Sequence, residues 1–388
     1  MKPMRTKEKS IQWIACLCMA ALSFAVFYAM AQRPASDLSI HAAWAAEGSF
    51  ADPRSFLHHH VHPLWHLGVG LLLLTGLSLP VAAALVTMLW KCVLFWASWA
   101  LCRRLLGQGQ KWWQATVCAL VICLVSSVCI PWFNPTVYLG AGTPNTWHSP
   151  TQMAVLPFSV ACLWVMAQSY DRFEKLGPEQ GCLTGRQWLG MAALFALSAL
   201  AKPTFLQAYL PAAALFFLVQ WIRQPQGSKY FWQLIGAMVP SLLVMALQFY
   251  YYFLHPTDTG IQLDVSLAKT GLCVAQLLVM TLFPLFALVT DREKKDTLVI
   301  LTVWNAVSAL IEMMLLGESG RRSSDGNFIW AMMGSAFLLW AVMLPRFVRQ
   351  QRGRGPCPRS VAGGALIGWH LLSGLYYIGY LLLTGATL

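Results

Sequence analysis

Residues 62–106 read HPLWHLGVGLLLLTGLSLPVAAALVTMLWKCVLFWASWALCRRLL. How often this stretch crosses a bilayer decides the sidedness of everything after it. A spanning helix needs about 20 mostly apolar residues, so two crossings fit by length. Two crossings would leave Arg103, Arg104 and Lys111 on the outer face, against the bias of Lys and Arg toward the cytoplasm. One crossing removes the conflict. Residues 63–78 then form an apolar helix in the outer interface, with Pro63 in its first turn, where a missing N–H costs nothing. Pro80 opens the true second span, 81–101.

The rest of the chain has the same character. It is 57% hydrophobic and 11% charged, with a mean hydropathy of +0.57, whereas soluble domains carry about 25% charged residues. The expected class is an all-α polytopic membrane protein. Residues 1–388 form a single integral membrane domain with no separate soluble domain, and 32–79 form an outer loop with juxtamembrane helices. The basic start MKPMRTKEKS precedes an apolar run over 11–31. Ala29, Met30 and Ala31 resemble a signal-peptidase site, so a cleaved signal is the alternative. The run is long for a signal h-region, and a retained helix with a cytoplasmic N-terminus is expected.

Further spans are expected at about 113–131, 151–170, 187–201, 204–222, 231–253, 270–289, 297–316, 327–344 and 361–383, giving eleven in all. This arrangement puts 20 Lys and Arg inside and 6 outside, with Lys91 within a span. The net charge of +12 therefore reads as topology and not as a nucleic-acid signal. Most of the eleven cysteines lie inside apolar runs and read as small hydrophobes, not as a disulfide framework.

Sidedness gathers the chemistry. Eight of nine histidines, all but His370, fall outside. So do Asp37, Glu47, Asp52, Asp258, Asp264, Glu318 and Asp325. The inner loops are short and basic.

Ser36 and Asp37 can cap a short helix running to about Glu47 and stopping at Gly48. On it Asp37, His41 and Trp44 share one face. A carboxylate beside an imidazole and an indole suits acid–base work on a sugar, with Trp as a stacking platform. The competing reading is a capping Asp with two interfacial side chains. Next, HHHVHPLWH over 58–66 raises a divalent metal, with His62 and His66 converging at i, i+4. Consecutive His58–60 do not converge, and interfacial histidines in a water-facing loop are the alternative.

The loop over 134–151, NPTVYLGAGTPNTWHSPT, offers Tyr138, Asn145, Trp147 and His148 for hydrogen bonding and stacking, against an ordinary interfacial turn. Lys202, between Ala201 and Pro203, joins two spans at the outer face. A lipid phosphate is its natural partner, and snorkelling on bulk lipid is the alternative. In GESGRRSSDGN over 317–327, Arg321 and Arg322 suit a phosphate or pyrophosphate, unless Glu318 and Asp325 merely neutralise them. Lys91 and Glu312 lie within spans, where ionisable groups are costly, and are candidates to pair.

Taken together the features resemble the GT-C glycosyltransferases, multispanning enzymes that include protein O-mannosyltransferases and lipid A aminoarabinose transferases. Asp37 stands soon after the first span, like the family's acidic catalytic residue. His62, Pro63 and Leu64 open an interfacial helix like its juxtamembrane helix. Leu200, Ala201, Lys202 and Pro203 look like its Lys-containing turn. The likeness covers about the first 220 residues by order of features. It departs in having a single early Asp, with Glu47 ten residues on, and no large C-terminal outer domain.

The resemblance implies a hexosyltransferase-type enzyme of the bacterial cytoplasmic (inner) membrane with its active face outside. It would move a sugar from a polyprenyl-phosphate carrier to a glycan, lipid or protein acceptor in surface glycan or glycolipid assembly. Asp37 would be the base, Lys202 with Arg321 or Arg322 would hold the phosphate, and His41, Trp44, Trp147 and His148 would line the sugar site. A transporter or flippase of a lipid-linked glycan should show an internal repeat, and no convincing one is found. A non-catalytic membrane scaffold is the third class.

Overall fold

The computed structural model describes residues 6–34, 36–48, 60–130, 132, 142–254, 259–293, 296–320 and 326–385. Its helices are α1 (Thr6–Ala31), α2 (Asp37–Glu47), α3 (Pro63–Leu73), α4 (Leu79–Leu106), α5 (Gln114–Leu124), α6 (Pro150–Gln180) and α7 (Gly185–Ala201). After them come α8 (Thr204–Arg223), α9 (Ser228–Phe249), α10 (Leu267–Val289), α11 (Thr297–Leu315), α12 (Ile329–Gln351) and α13 (Pro358–Thr384). Among the described residues nine helices are long and apolar enough to cross a bilayer, which makes the chain an integral membrane protein of the all-α class. Among the described residues one two-stranded antiparallel sheet interrupts it: β1 (Thr259–Leu263) pairs with β2 (Leu316–Gly320), brought together by the two helices between them, setting Ile261 opposite Glu318.

Residues 62–106 contribute one crossing-length helix. At eleven residues α3 is about 16 Å long, too short to span the roughly 30 Å hydrocarbon core. It follows His62, with Pro63 at its start, and gives way to a turn in which Gly76 takes φ 83°. Pro80 then stands in the first turn of α4. Buried Trp65 anchors α3 to α4 by donating its Nε1–H to Thr87 Oγ1 at 3.0 Å.

The ends of the helices sort into two sets. Arg103, at the end of α4, meets Glu8 near the start of α1 at 3.4 Å. Arg349 and Arg352, at the end of α12, donate to the Leu105 and Gln108 carbonyls. Thr297, at the start of α11, donates to Asp171 on α6. We call this the arginine end. At the opposite, histidine end, Gly385 reaches Ala29 and Arg33. There, too, Gln248 at the end of α9 donates to the Val61 and Ala199 carbonyls at 2.9 and 2.8 Å.

The centre of the bundle is α12. Its side chains are buried almost throughout, and α4, α6, α8, α10 and α11 pack around it. Its arginine end is held by charge. Arg346, 2% exposed, binds Asp291 at 3.2 Å and Asp296 at 2.5 Å, with Glu293 at 3.5 Å. Arg349 also binds Glu293, and Gln350 binds Asp291. The short basic loops expected at this end thus hold an ion network around buried Arg346 and Asp291.

The helix expected over 187–201 covers 185–201, 17 residues. The run over 113–131 is helical only through Leu124, and 125–130 leaves the helix. Buried backbone tolerates this only when its polar groups are paired, and here they are. The Ser126 N–H donates to the His370 carbonyl, the Val128 N–H to the Val279 carbonyl, and the Cys129 N–H to Ser373 Oγ. Asn145 Nδ2 caps the broken end at the Ile122 and Val125 carbonyls, 2.5 and 3.0 Å away. Gly374 lets α13 come this close, because a Cβ there would overlap the Leu124 carbonyl.

Candidate functional site

At the histidine end, α2 forms over the expected residues. The Ser36 side chain accepts from the Ser39 N–H at 3.0 Å and donates to the Met30 carbonyl at 2.7 Å, fixing α2 to the end of α1. Gly48 follows Glu47 in an extended conformation and not in the left-handed one a glycine stop suggests. Along one face, Asp37 Oδ1 lies 3.7 Å from His41 Nε2, and Trp44 meets His41 edge-on at 4.9 Å. Asp37 keeps about a third of its side chain exposed, at 35%, and Glu47 points outward.

The histidines of α2 and α3 meet. His41 Nδ1 and His66 Nε2 are 3.0 Å apart, and His66 Nδ1 lies 3.0 Å from the His62 carbonyl, which it can reach only as a donor. His60 stacks on His66 at 4.4 Å. Both ring nitrogens of His66 therefore face protein partners, and the His62–His66 pair does not converge on one ion. Among the described residues no group of three or more His, Cys, Asp or Glu could hold a metal ion. Burial pushes His66 well below the ordinary histidine value, and neighbouring His41 and His60 add to the effect. His62 is lowered too, first by burial, then by Lys202.

Lys202 stands in the two-residue junction between α7 and α8, extended as a residue before proline must be. Its ammonium lies 4.1 Å from the centre of the Trp330 ring, a cation–π contact. Trp330 is fixed in turn. Its carbonyl accepts from Gln152 Nε2 at 3.1 Å, and its indole N–H donates to Asn327 at 3.2 Å. Asn327 Nδ2 donates to both oxygens of Glu318 at 2.9 and 2.7 Å.

These residues wall a cavity of about 550 Å³. Its polar lining includes His62, Lys202, Gln248, Glu318 and Asn327, and its apolar wall includes Leu242, Met245 and Phe249 of α9. His148 stands on the far side of Trp330, 5.5 Å from its ring, with Nδ1 2.5 Å from the Tyr377 hydroxyl. Burial pushes His148 down to about 4. Asp37 opposes the shift, while Lys202 and Lys91 add to it.

The structure thus brings Asp37, His41, Trp44 and His66 into one group and Lys202, His62 and Trp330 into an adjoining one, with His148 beside Trp330. Trp147 and Asn145 face the bundle interior and not the cavity. Trp147 is fully buried on Phe27, under the Lys91 ammonium 4.2 Å away. Lys91 therefore rests on Trp147 and does not pair with Glu312. Tyr138, Arg321 and Arg322 lie outside the described residues, as do Asp52, His58 and His59. Trp330, Asn327 and Glu318 were not singled out as a cavity wall. Their signal was faint: a Trp three residues past an Asn at the mouth of a helix. No protein-family model matches the chain, and no curated protein matches it in sequence.

Proposed function

We propose that the chain is a GT-C-like glycosyltransferase of the bacterial cytoplasmic membrane, moving a sugar from a polyprenyl-phosphate carrier to an acceptor on the outer face. The observation that carries this reading is that two polar groups adjoin at the cavity's edge. Lys202, held on Trp330, stands at one side of an apolar cavity, and the Asp37–His41–His66 group adjoins it through His62. Apolar walls suit an isoprenoid chain, and an ammonium suits its phosphate. In the reaction, the acceptor oxygen bonds to the anomeric carbon as that carbon's bond to the phosphate oxygen breaks. The acceptor proton passes to Asp37, and the departing phosphate takes the bonding pair beside Lys202. The half-open carboxylate lets the acceptor arrive from water.

Orientation is read from charge: the expected arrangement puts 20 Lys and Arg inside and 6 outside, and the arginine end takes the inner side. A cysteine placed at Gln108 in a background lacking reactive thiols should resist labelling from outside. Labelling there would turn the molecule over and remove the outer active face. For the activity, purified protein in nanodiscs should release polyprenyl phosphate from a hexosyl polyprenyl phosphate when a glycolipid extract supplies acceptors. A chain that neither binds nor consumes the carrier rules the reading out.

A further inference from the structure

The antiparallel neighbours α8 and α9 are pinned together at one end only. At the arginine end Trp221 of α8 stacks on Phe231 of α9 at 5.8 Å, meets Trp232 edge-on at 5.4 Å and donates its indole N–H to Ser228 Oγ at 2.9 Å. At the histidine end α9 is tied elsewhere. Its main packing partner is α7, and Gln248 fixes its last turn to the Ala199 carbonyl of α7 and to the Val61 carbonyl. The cavity occupies the splay, with Thr204 and Gln207 of α8 on one side and Leu242, Met245 and Ala246 of α9 on the other.

The splay is open sideways. Leu242 and Phe249 line the cavity yet are 48 and 44% exposed, and Leu254 and Ile261, which also line it, are 64 and 41% exposed. Beside them on α9, Leu243 and Leu247 face outward. The cavity wall therefore runs on into the apolar surface that a spanning helix turns to lipid. Leu242 stands seven residues before the end of α9, about 10 Å along its axis, which is outer-leaflet depth on the orientation above.

A space of about 550 Å³ suits a ligand of drug size and not a whole polyprenyl chain. Through a side opening the rest of such a chain stays in the bilayer, and only the units nearest the phosphate exchange lipid for protein. A slot between two helices also admits chains singly, which suits a carrier with one chain.

Resting on the carrier reading above, we infer that the splay between α8 and α9 is a lateral entry slot, through which the isoprenoid chain slides into the cavity from the outer leaflet without leaving the bilayer. Ala246 shares a helix face with Leu242 and Phe249 and, being small, keeps the slot open.

The test narrows the slot. Full-length protein in detergent is titrated with geranylgeranyl phosphate and, separately, with dioleoyl phosphatidylglycerol, read by native mass spectrometry. Ala246 is exposed, so a larger side chain there leaves the packing intact, which an unchanged melting curve checks. Ala246→Trp should weaken geranylgeranyl phosphate about tenfold, the cost of shutting out about two methylenes, and Ala246→Leu should lose less. Leu243→Trp puts the same indole on the adjoining face, outside the cavity wall, and should stay within about twofold of wild type. Phosphatidylglycerol should bind all four proteins alike. Unchanged binding in Ala246→Trp, or equal weakening in Leu243→Trp, overturns the slot and leaves the carrier reading standing. Weakening of phosphatidylglycerol by Ala246→Trp with the prenyl probe unaffected hands the slot to a two-chain lipid and overturns the isoprenoid assignment. A wild-type chain that does not bind geranylgeranyl phosphate takes down the carrier reading and the slot with it.

Discussion

At one end of the bundle Arg346 lies between Asp291, Asp296 and Glu293; at the other, Lys202 lies on the face of Trp330 in a cavity wall. Both cations are nearly buried. The first is enclosed by carboxylates and tied into a loop, so its charge is spent on holding α12 against the start of α11. The second leans on an indole and faces a cavity that Glu318 also lines. On the proposed reading a cation beside an open, mostly apolar space can meet an incoming anion, and one enclosed by carboxylates cannot. The difference separates the two ends more clearly than composition does.

Substitutions should therefore behave oppositely at the two ends. The largest effect expected is on catalysis. Asp37→Asn keeps the cap and the shape but removes the base, so transfer should fall by a factor of about 10²–10⁴ at unchanged membrane abundance, measured by radiolabelled sugar transfer. Glu47→Gln, off the shared face, should stay within a few-fold. Activity near wild type in the Asn variant would remove Asp37 from its role. Loss in Glu47→Gln instead would move the base there.

At the arginine end, Arg346→Met should cost stability and not chemistry. It removes the cation paired with Asp291, whose side chain is 1% exposed, and breaking a buried pair costs about 3–5 kcal/mol. A melting curve should show the loss, while the surviving folded protein keeps its transfer rate per molecule. A wild-type melting curve would mean that the network is ornamental.

Acid should act at the histidine end. His148, at about 4, and His62 and His66, lowered by burial, are neutral in the folded chain near pH 7. Unfolded, they titrate near 6.5. The unfolded state thus gains more protons on acidification, so their contribution to stability is complete above about pH 6.5. It declines as pH falls toward the folded values. For His148 the loss at about pH 5 is about 2 kcal/mol. Between about pH 7 and 5, protection factors, which correct exchange for its intrinsic slowing in acid, should fall around 60–66 and 145–149, with less change around Arg346. A uniform fall would erase the contrast.

Smaller effects sharpen the picture. Lys202→Ala should weaken binding of a polyprenyl-phosphate sugar by at least about tenfold, roughly 1.4 kcal/mol, and Lys202→Arg should lose less because the charge remains. Equal affinity in the Ala variant removes the phosphate role. Thr87→Val, which takes the acceptor from the Trp65 indole, should cost about 1 kcal/mol and loosen α3, seen as faster exchange over its amides.

Much of the histidine end was legible in advance because its signals are local. A Ser before an Asp caps α2, a spacing of four and three aligns His41 and Trp44, and a proline starts α3. Lys202 stood out because a Lys between two spans conflicts with its surroundings. What was missed depends on partners far along the chain. Asp291, Glu293 and Asp296 read as loop charge until α12 brings Arg346 from 50 residues on. Glu318 read as a counter-charge to its neighbours until the pairing of β1 with β2 set it in the cavity wall. Residues 125–130 are as apolar as a helix, and nothing in their own composition reveals that His370 supplies their hydrogen bonds.

That segment also sets a schedule for assembly. Ser126 waits through about 240 residues of synthesis, at roughly 5–20 residues per second, before α13 emerges to pair with its backbone. Until then α5, with eleven helical residues, is too short to settle across the bilayer alone, and the polar backbone after it has no place in lipid. The last helix made is the one that closes the interior. A nascent chain cut before residue 358 would keep most of its hydrophobic helices and still present an open seam to the membrane's quality control.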